Sequence, residues 1–232
     1  MTITPLKLLV LGRGKTGSLV AEVARTRGHS VRAVGSADNA ECIALKPGGL
    51  ADIDVVIDFT TPRAVLDNIE ACARAGKNMV VGTTGWYEEM NRAGEAVKNG
   101  GIGFVYGANF SIGVNLFFDI ARAAAPAFEQ GYEGRILERH HVQKKDAPSG
   151  TAVALRKVLQ EVRAGELLIE SEREGDIVGY HELVLDSDSD TITLSHNAKS
   201  RRGFAEGAVR AAEWIAKRKG FYDFKDVWRT LR

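Results

Sequence analysis

Along the first half of the chain, short apolar runs alternate with stretches whose apolar positions recur at helical spacing. The apolar runs are residues 6–11, 30–34, 54–59, 78–81 and 102–106, and the helical stretches are 15–27, 62–75 and 86–98. Within 15–27, Leu19, Val20 and Val23 fall on one face, the mark of an amphipathic helix. Runs that are apolar at successive positions bury both faces of a strand, so helices must cover both sides of a parallel sheet. The pattern is that of a doubly wound α/β domain, whose ligands gather at the carboxyl ends of the strands.

After about residue 110 the pattern changes. Spacing predicts a helix over 114–128, a long strand over 134–142 and a helix over 151–162. Residues 177–186 and 191–196 read as antiparallel strands around the polar turn 186–190 (DSDSD), and a helix over 205–217 closes the chain. Residues 112–201 are therefore expected to form a strand-rich insert, with 1–111 and 202–232 making one domain. No repeat and no low-complexity linker interrupts this reading.

Composition narrows the class. Of 232 residues 44% are hydrophobic and 26% charged, too apolar a chain to stay disordered. No apolar run approaches the roughly 18 residues of a membrane span, and the first residues read as a strand rather than a signal peptide. Two cysteines, Cys42 and Cys72, make neither a disulfide framework nor a zinc site alone, so the expected address is the reducing cytoplasm. A net charge of +1 argues against bulk nucleic-acid binding.

Residues 12–17 are a G-x-G-x-x-G formed by Gly12, Arg13, Gly14, Lys15, Thr16 and Gly17, placed between the first strand and the first helix. Glycines there let the backbone approach a pyrophosphate, and the helix start offers N–H groups and a positive dipole end. A phosphate-binding P-loop fits less well, because its first glycine falls at position 9, which is Leu9. A dinucleotide site commonly places an acid at the end of the second strand. Here that end reads Val34-Gly35-Ser36-Ala37-Asp38, and Asp38 reads as a helix cap, so NADH and NADPH both remain open.

The densest chemistry lies at residues 138–152, ERHHVQKKDAPSGTA. His140 is able to donate a proton near neutral pH. Lys144 offers a cation for a carboxylate, and the N–H groups at Gly150 and Thr151, opening a helix, offer a second anion cradle. The same residues taken alone also describe an exposed basic loop capped by Ser149.

In order, His140-His141-x-x-Lys144 followed by Asp146-Ala147-Pro148-Ser149-Gly150-Thr151-Ala152 resembles the signature of the dihydrodipicolinate (4-hydroxy-tetrahydrodipicolinate) reductase family. The likeness continues in Asp58-Phe59-Thr60, Val81-Gly82-Thr83-Thr84-Gly85, residues 108–115 (ANFSIGVN), residues 173–179 (REGDIVG) and Ser200-Arg201. It implies a Rossmann-like domain and an α+β substrate-binding and oligomerisation domain with a mixed open sheet. It also implies a reductase of lysine and diaminopimelate biosynthesis that uses NADH or NADPH on a small cyclic dicarboxylate. By position, His140 is the implied proton donor and Lys144 its catalytic partner. His141, Gly150, Thr151 and Arg201 are implied to bind the substrate carboxylates. The turn Gly12–Gly17, then Gly82, Thr83 and Thr84, then Gly107, Ala108, Asn109 and Phe110 are implied to line the cofactor. The resemblance further implies a homotetramer joined through the insert's sheets; the charge, the short apolar runs and the residue spacing lead us to expect no nucleic-acid partner, no membrane partner and no metal. Two departures, a glycine turn one residue shorter than the commoner family form and a short connection between Gly35 and Asp54, both lie around the adenosine end.

Other polar residues read as structural. His29, after Gly28, fits a helix C-terminal cap. His181 and His196 fall on predicted strands without the carboxylate or cysteine spacing of a metal site. Phe117, Phe118 and Trp214 lie on helical patterns as core or interface residues. Residues 186–190 lack the glycine and final glutamate of a calcium loop. Arg139, before the histidine pair, reads either toward the site or toward solvent.

Overall fold

The structure, a computed structural model, describes residues 4–162 and 167–231, so residues 1–3 and 232 of the first expected domain and 163–166 of the insert lie outside it. The chain divides into two compact units, residues 1–111 with 202–232, and residues 112–201.

The first unit carries six parallel strands, β1 (Lys7–Leu11), β2 (Ser30–Val34), β3 (Val55–Asp58), β4 (Asn78–Val81), β5 (Gly103–Tyr106) and β10 (Gly220–Asp223), in the order β10-β5-β4-β3-β1-β2. β3 and β4 are buried at every position, as unbroken apolar runs require. One face of the sheet presents Leu9, Leu11, Val56, Met79, Val81 and Phe104. Over it lie α3 (Pro62–Arg74), with Val65, Ile69 and Cys72, and α4 (Met90–Gly100), with Ala93 and Val97. On the other face α1 (Lys15–Thr26) and α7 (Arg202–Ile215) pack on each other. Arg27 holds Glu213 of α7 through two hydrogen bonds of 2.8 Å, and His29 Nε2 meets the same carboxylate at 2.8 Å. His29 also closes the end of α1: its N–H reaches the Ala24 carbonyl after Gly28 turns the chain at φ +89°.

Several boundaries differ from expectation. The stretch predicted as a helix from residue 86 begins instead with a 3₁₀ turn, Tyr87–Glu89, and becomes α-helical at Met90. Trp86 is spent on the core, buried and donating its indole N–H to the Thr83 carbonyl at 2.8 Å. Asp38 does not cap a helix: its carboxylate accepts from the Gly35 N–H at 3.2 Å and pairs with Arg13 at 3.0 Å. That side chain lies inside a 3₁₀ segment, Ala37–Leu45, followed by the one-turn helix α2 (Pro47–Leu50). β10 was not anticipated, because four residues opening with a glycine carry too short an apolar signal.

The second unit is a four-stranded mixed sheet in the order β7-β6-β8-β9. β6 (Glu133–His140) runs parallel to β7 (Leu168–Arg173) and antiparallel to β8 (Tyr180–Asp186), which pairs antiparallel with β9 (Thr191–Asn197). Two helices, α5 (Ile112–Ala124) and α6 (Gly150–Gln160), supply Phe117, Ala121, Leu155 and Leu159 to a core with Ile136, Leu183 and Leu185. α5 stops short of the expected residue 128, giving way to a 3₁₀ turn, Ala125–Gln130, where Pro126 has no N–H to continue the ladder. The polar edge strand β7 (LIESER) lacks an apolar alternation and was not expected as a strand. A one-turn helix, α8 (Phe224–Val227), completes the elements and puts the buried Phe224 against Phe110, with ring centroids 4.5 Å apart. Among the described residues no helix is long and apolar enough to cross a membrane.

Candidate active site

In the first unit, the chemistry gathers at the carboxyl ends of β1, β3 and β4. Gly12 turns the chain at φ +102°, and a Cβ there would strike the Phe59 carbonyl. A Cβ on Gly17 would strike the Gly12 carbonyl, so this glycine lets α1 start against the strand end. Gly14 differs: nothing lies within 4 Å of where its Cβ would be. It is the residue before the first turn of α1, where N–H groups are left without helical partners. Beside it lies a cavity of about 310 Å³ lined by Gly14, Lys15, Thr16, Gly17, Phe59, Thr60, Pro62, Gly82, Thr83 and Thr84. Two glycines are thus needed for packing, and the third leaves backbone open beside a helix start, which suits a pyrophosphate.

A residue without an assigned role shapes that cavity. Asp58, fully buried at the end of β3, accepts from the Thr60 N–H at 2.9 Å, the Thr60 hydroxyl at 2.7 Å and the Thr83 hydroxyl at 2.7 Å, and from Asn68 at 2.8 Å. Burial pushes the Asp58 carboxyl up, against the pull of these four donors. Its bonds tie the segment after β3 to the segment after β4. Arg13 points the other way, to the Ala33 carbonyl at 2.9 Å and to Asp38. Gly107 and Phe110 are buried and Ala108 is exposed, and Asn109 Oδ1 accepts from the Ser111 N–H at 2.9 Å. None of these four lines the cavity.

In the second unit, strand alternation puts Glu138 and His140 on one side of β6 and Arg139 on the other. Arg139 lies over the Tyr180 ring at 4.6 Å and pairs with Glu172 at 3.6 Å, away from His140. His140 is buried, and its Nδ1 is hydrogen-bonded to Glu138. Glu138, with no exposed surface, also accepts from Arg173 Nη2 at 2.9 Å and from the Ser149 N–H at 3.2 Å. Ser149 caps α6 by accepting from the Ala152 N–H at 3.2 Å, and its hydroxyl meets His181 Nε2 at 3.0 Å. Gly150 and Thr151 open the helix at this cap.

Lys144 donates to both oxygens of Asp146 at 2.8 Å. Arg173 braces the same loop, reaching the Asp146 carbonyl at 2.6 Å and the Lys144 carbonyl at 3.3 Å. His141 is fixed by its N–H to the Ile177 carbonyl at 2.7 Å, and its ring lies 3.5 Å from Arg201. The histidine pair, the lysine, the helix start and Arg201 therefore belong to one neighbourhood.

The electrostatics are mixed. Burial pulls the His140 imidazole below its ordinary value; Glu138 pushes it back up, and Lys144 and Arg173 pull it down. Burial drives His181 down to about 4, which keeps it neutral. For Glu138, burial works upward but is outweighed by its hydrogen bonds from Arg173, Ser171 and His140, and the carboxyl sits below its usual range. Glu138, His140 and His181 bring possible ligand atoms within 4.8 Å of one another. Arg173 on the carboxylate, Glu138 on His140 Nδ1 and Ser149 on His181 Nε2 join the three into a polar network, in which His181 Nδ1 has no hydrogen-bond partner among the described residues.

Asp146 and Arg173 carry part of the family likeness, but the sequence assigns no role to them or to Glu138. The signal for Glu138 was its spacing two residues before His140 on a strand, which is same-face spacing. Arg173, on β7, is the register partner of His140 on β6, a pairing that needs the unforeseen strand.

Comparison with known proteins gives a consistent match. The family model "Dihydrodipicolinate reductase, N-terminus" matches residues 6–110, and "Dihydrodipicolinate reductase, C-terminus" matches residues 113–228. A 4-hydroxy-tetrahydrodipicolinate reductase of Christiangramia forsetii is 36% identical over 240 residues, covering 97% of this chain and 99% of that protein. One of Methanospirillum hungatei is 36% identical over 251 residues, covering 96% and 98%. In fold, the chain is similar to a dipicolinate-bound dihydrodipicolinate reductase from Paenisporosarcina sp. TG-14, with a TM-score of 0.78 at 22% identity, over 97% of this chain and 100% of that one.

Proposed function

Since the chain belongs to the dihydrodipicolinate reductase family, we propose that it reduces 4-hydroxy-tetrahydrodipicolinate to tetrahydrodipicolinate, in the diaminopimelate route to lysine. One substrate, one reduced dinucleotide and one proton give the product, the oxidised dinucleotide and water. The observation that carries the reading is the buried Glu138–His140 pair beside Lys144 and the capped start of α6.

The open backbone of Gly14 at the start of α1 would hold the pyrophosphate of NADH or NADPH, which when bound would supply the hydride. The glycine turn from Gly12 to Gly17 and the segment Gly82–Thr84, which line the cavity from Gly14 on, would hold the dinucleotide, and residues 107–110 are assigned to it by the family likeness alone. Asp58 keeps the two segments in register through Thr60 and Thr83. In the second unit, Lys144 and Arg201 offset the two substrate carboxylates, and His141 with the N–H groups of Gly150 and Thr151 orients them. A dianion raises the proton affinity of a neighbouring imidazole, so His140 takes up a proton as substrate binds and passes it to ring carbon. A positioned acid of this kind contributes roughly 10²–10⁴ in rate.

The insert's sheet is open, with Leu168 on β7 and Ile192 on β9 exposed, and this supports assembly of the chain as a homotetramer through that sheet. Cys42 and Cys72 are unpaired thiols, in keeping with the cytoplasm.

The test is loss of nicotinamide absorbance with freshly generated precursor, run with each dinucleotide and with His140→Gln and Lys144→Ala. Wild type turns over and each variant loses about a hundredfold or more. No oxidation by wild type, or full activity in both variants, overturns the reading.

A further inference from the structure

In the second unit Glu138 is a carboxylate with no exposed surface, and no step of the reaction as set out above uses it. Its two oxygens draw partners of different kinds: His140 Nδ1 on its own strand, Arg173 and Ser171 on the neighbouring strand β7, and the backbone N–H of Ser149, the cap of α6. We propose that Glu138 is a positioning residue for the proton donor: it holds the Nδ1–H of His140, so that Nε2 alone is presented for chemistry, and its charge keeps that imidazole able to carry a proton.

This deepens the function proposed above and rests on it. The geometry is what gives the role content. A carboxylate at Nδ1 selects the tautomer and ring orientation, because a carboxylate only accepts and the ring nitrogen facing it must carry hydrogen. The opposite ring nitrogen, Nε2, faces Gly179, where a Cβ would lie 3.1 Å away; the glycine leaves that edge clear. The charged groups around the ring are Glu138 from β6, Arg173 from β7, Lys144 from the loop before α6, and the neutral His181 from β8, whose ring centroid is 5.1 Å distant. Of these only Glu138 favours the imidazolium. Burial, Lys144 and Arg173 all oppose it.

The transfer balances without a further reactant. The Nε2–H bond breaks, and a C–H bond forms at the ring carbon next to the reduced one, using the electron pair left by hydride addition. His140 ends neutral, its Nδ1–H still donated to Glu138, and regains a proton from water.

Glu138→Gln keeps the volume and removes the charge. Expected is a fall in kcat of about tenfold or more, with the alkaline limb of the kcat–pH profile moved to lower pH by about one pH unit and the Kd for the dinucleotide unchanged. Arg173→Gln removes the opposing cation and is expected to move the same limb to higher pH, whatever its effect on rate. This second variant keeps the test alive if Glu138→Gln does not fold. Independently of substrate, the His140 ring proton titration followed by NMR, assigned by its loss in His140→Gln, should shift down in Glu138→Gln and up in Arg173→Gln. Limbs and titrations that stay at the wild-type position in both variants, even with kcat reduced, mean a purely structural role and overturn the proposal. A wild-type protein whose His140 titrates as expected but which oxidises no dinucleotide with the precursor removes the proposed function and leaves the Glu138 assignment standing.

Discussion

Replacing Gly179 with alanine tests which edge of His140 does the work. The added methyl would lie 3.1 Å from His140 Nε2, 3.5 Å from its Cδ2 and 3.8 Å from His181 Cε1. The backbone does not resist, since Gly179 is not in the left-handed region. The ring resists, because Glu138 holds Nδ1 and the His181 ring stands 5.1 Å away on another side. A contact of 3.1 Å must open by a few tenths of an ångström to reach ordinary carbon packing at about 3.5–4.0 Å. That is mild overpacking, costing about 1 kcal/mol, or a fall in Tm of roughly 2–4 °C for a chain of this size. Catalysis suffers more. A proton donor must come within about 2.6–3.2 Å of the atom it serves, and the methyl occupies that approach. A displacement of about 1 Å costs on the order of 100-fold in rate, so a shift of a few tenths should lower kcat by up to about tenfold, equivalent to about 1.4 kcal/mol. The measurements are kcat with fresh precursor, Kd for the dinucleotide and Tm. Wild-type kcat in Gly179→Ala, with the fold intact, would show that Nε2 is not the working nitrogen.

The glycine turn offers a paired comparison: Gly17→Ala, whose Cβ would meet the Gly12 carbonyl, should cost about 2 kcal/mol or more of stability, read by thermal melting. Gly14→Ala, with open space around its Cβ, should melt like wild type yet bind the dinucleotide at least about tenfold more weakly; equal melting of the two variants would contradict this division. Asp146→Asn releases Lys144 from an exposed ion pair worth under about 1 kcal/mol, so the KM for the precursor should fall by up to about fivefold, and a rise in KM would mean that Asp146 aids binding. Arg27→Gln should lower Tm at pH 7. Burial pushes Glu213 up, but Arg27 and His29 outweigh it and hold the carboxyl below its ordinary value, so its stabilisation is present above the unfolded carboxylate pKa and is lost as pH falls through the lower folded value. The Tm gap between Arg27→Gln and wild type should therefore close in acid, and a gap constant from pH 7 to pH 3 would refute the argument.

The first unit was legible because its strands are apolar at successive positions, and runs such as Val55-Val56-Ile57 have few other uses. The ends of its helices were less so. Trp86 carries an apolar side chain at a position that continues the helical spacing, yet its indole N–H is taken up by the Thr83 carbonyl and the helix starts later. In the insert, β7 escaped notice because Glu170, Ser171 and Glu172 give no alternation. An edge strand with so little burial is held by its ladder with β6 rather than by its side chains. Asp38 misled for a local reason: a short acid near a helix start usually caps it, but here Arg13 and the Gly35 N–H compete for it.

The site shows the same division between near and distant information. His140, Lys144, Gly150 and Thr151 lie within twelve residues, and their types alone suggest acid, cation and anion cradle. What fixes them is scattered. Arg173 joins through a strand pairing, His181 through β8, and Glu138 through the two-residue period of β6. A buried carboxylate loses several kcal/mol of hydration, and a single Coulombic partner seldom repays that in full. Glu138 bears this loss with a cation, an imidazole and a helix-cap N–H converging on it. An apolar residue there would leave both His140 and the start of α6 without the carboxylate they share. The unfavourable burial of that one charge is therefore best understood as the cost of holding the proton donor and the anion cradle rigid with respect to each other before any ligand arrives.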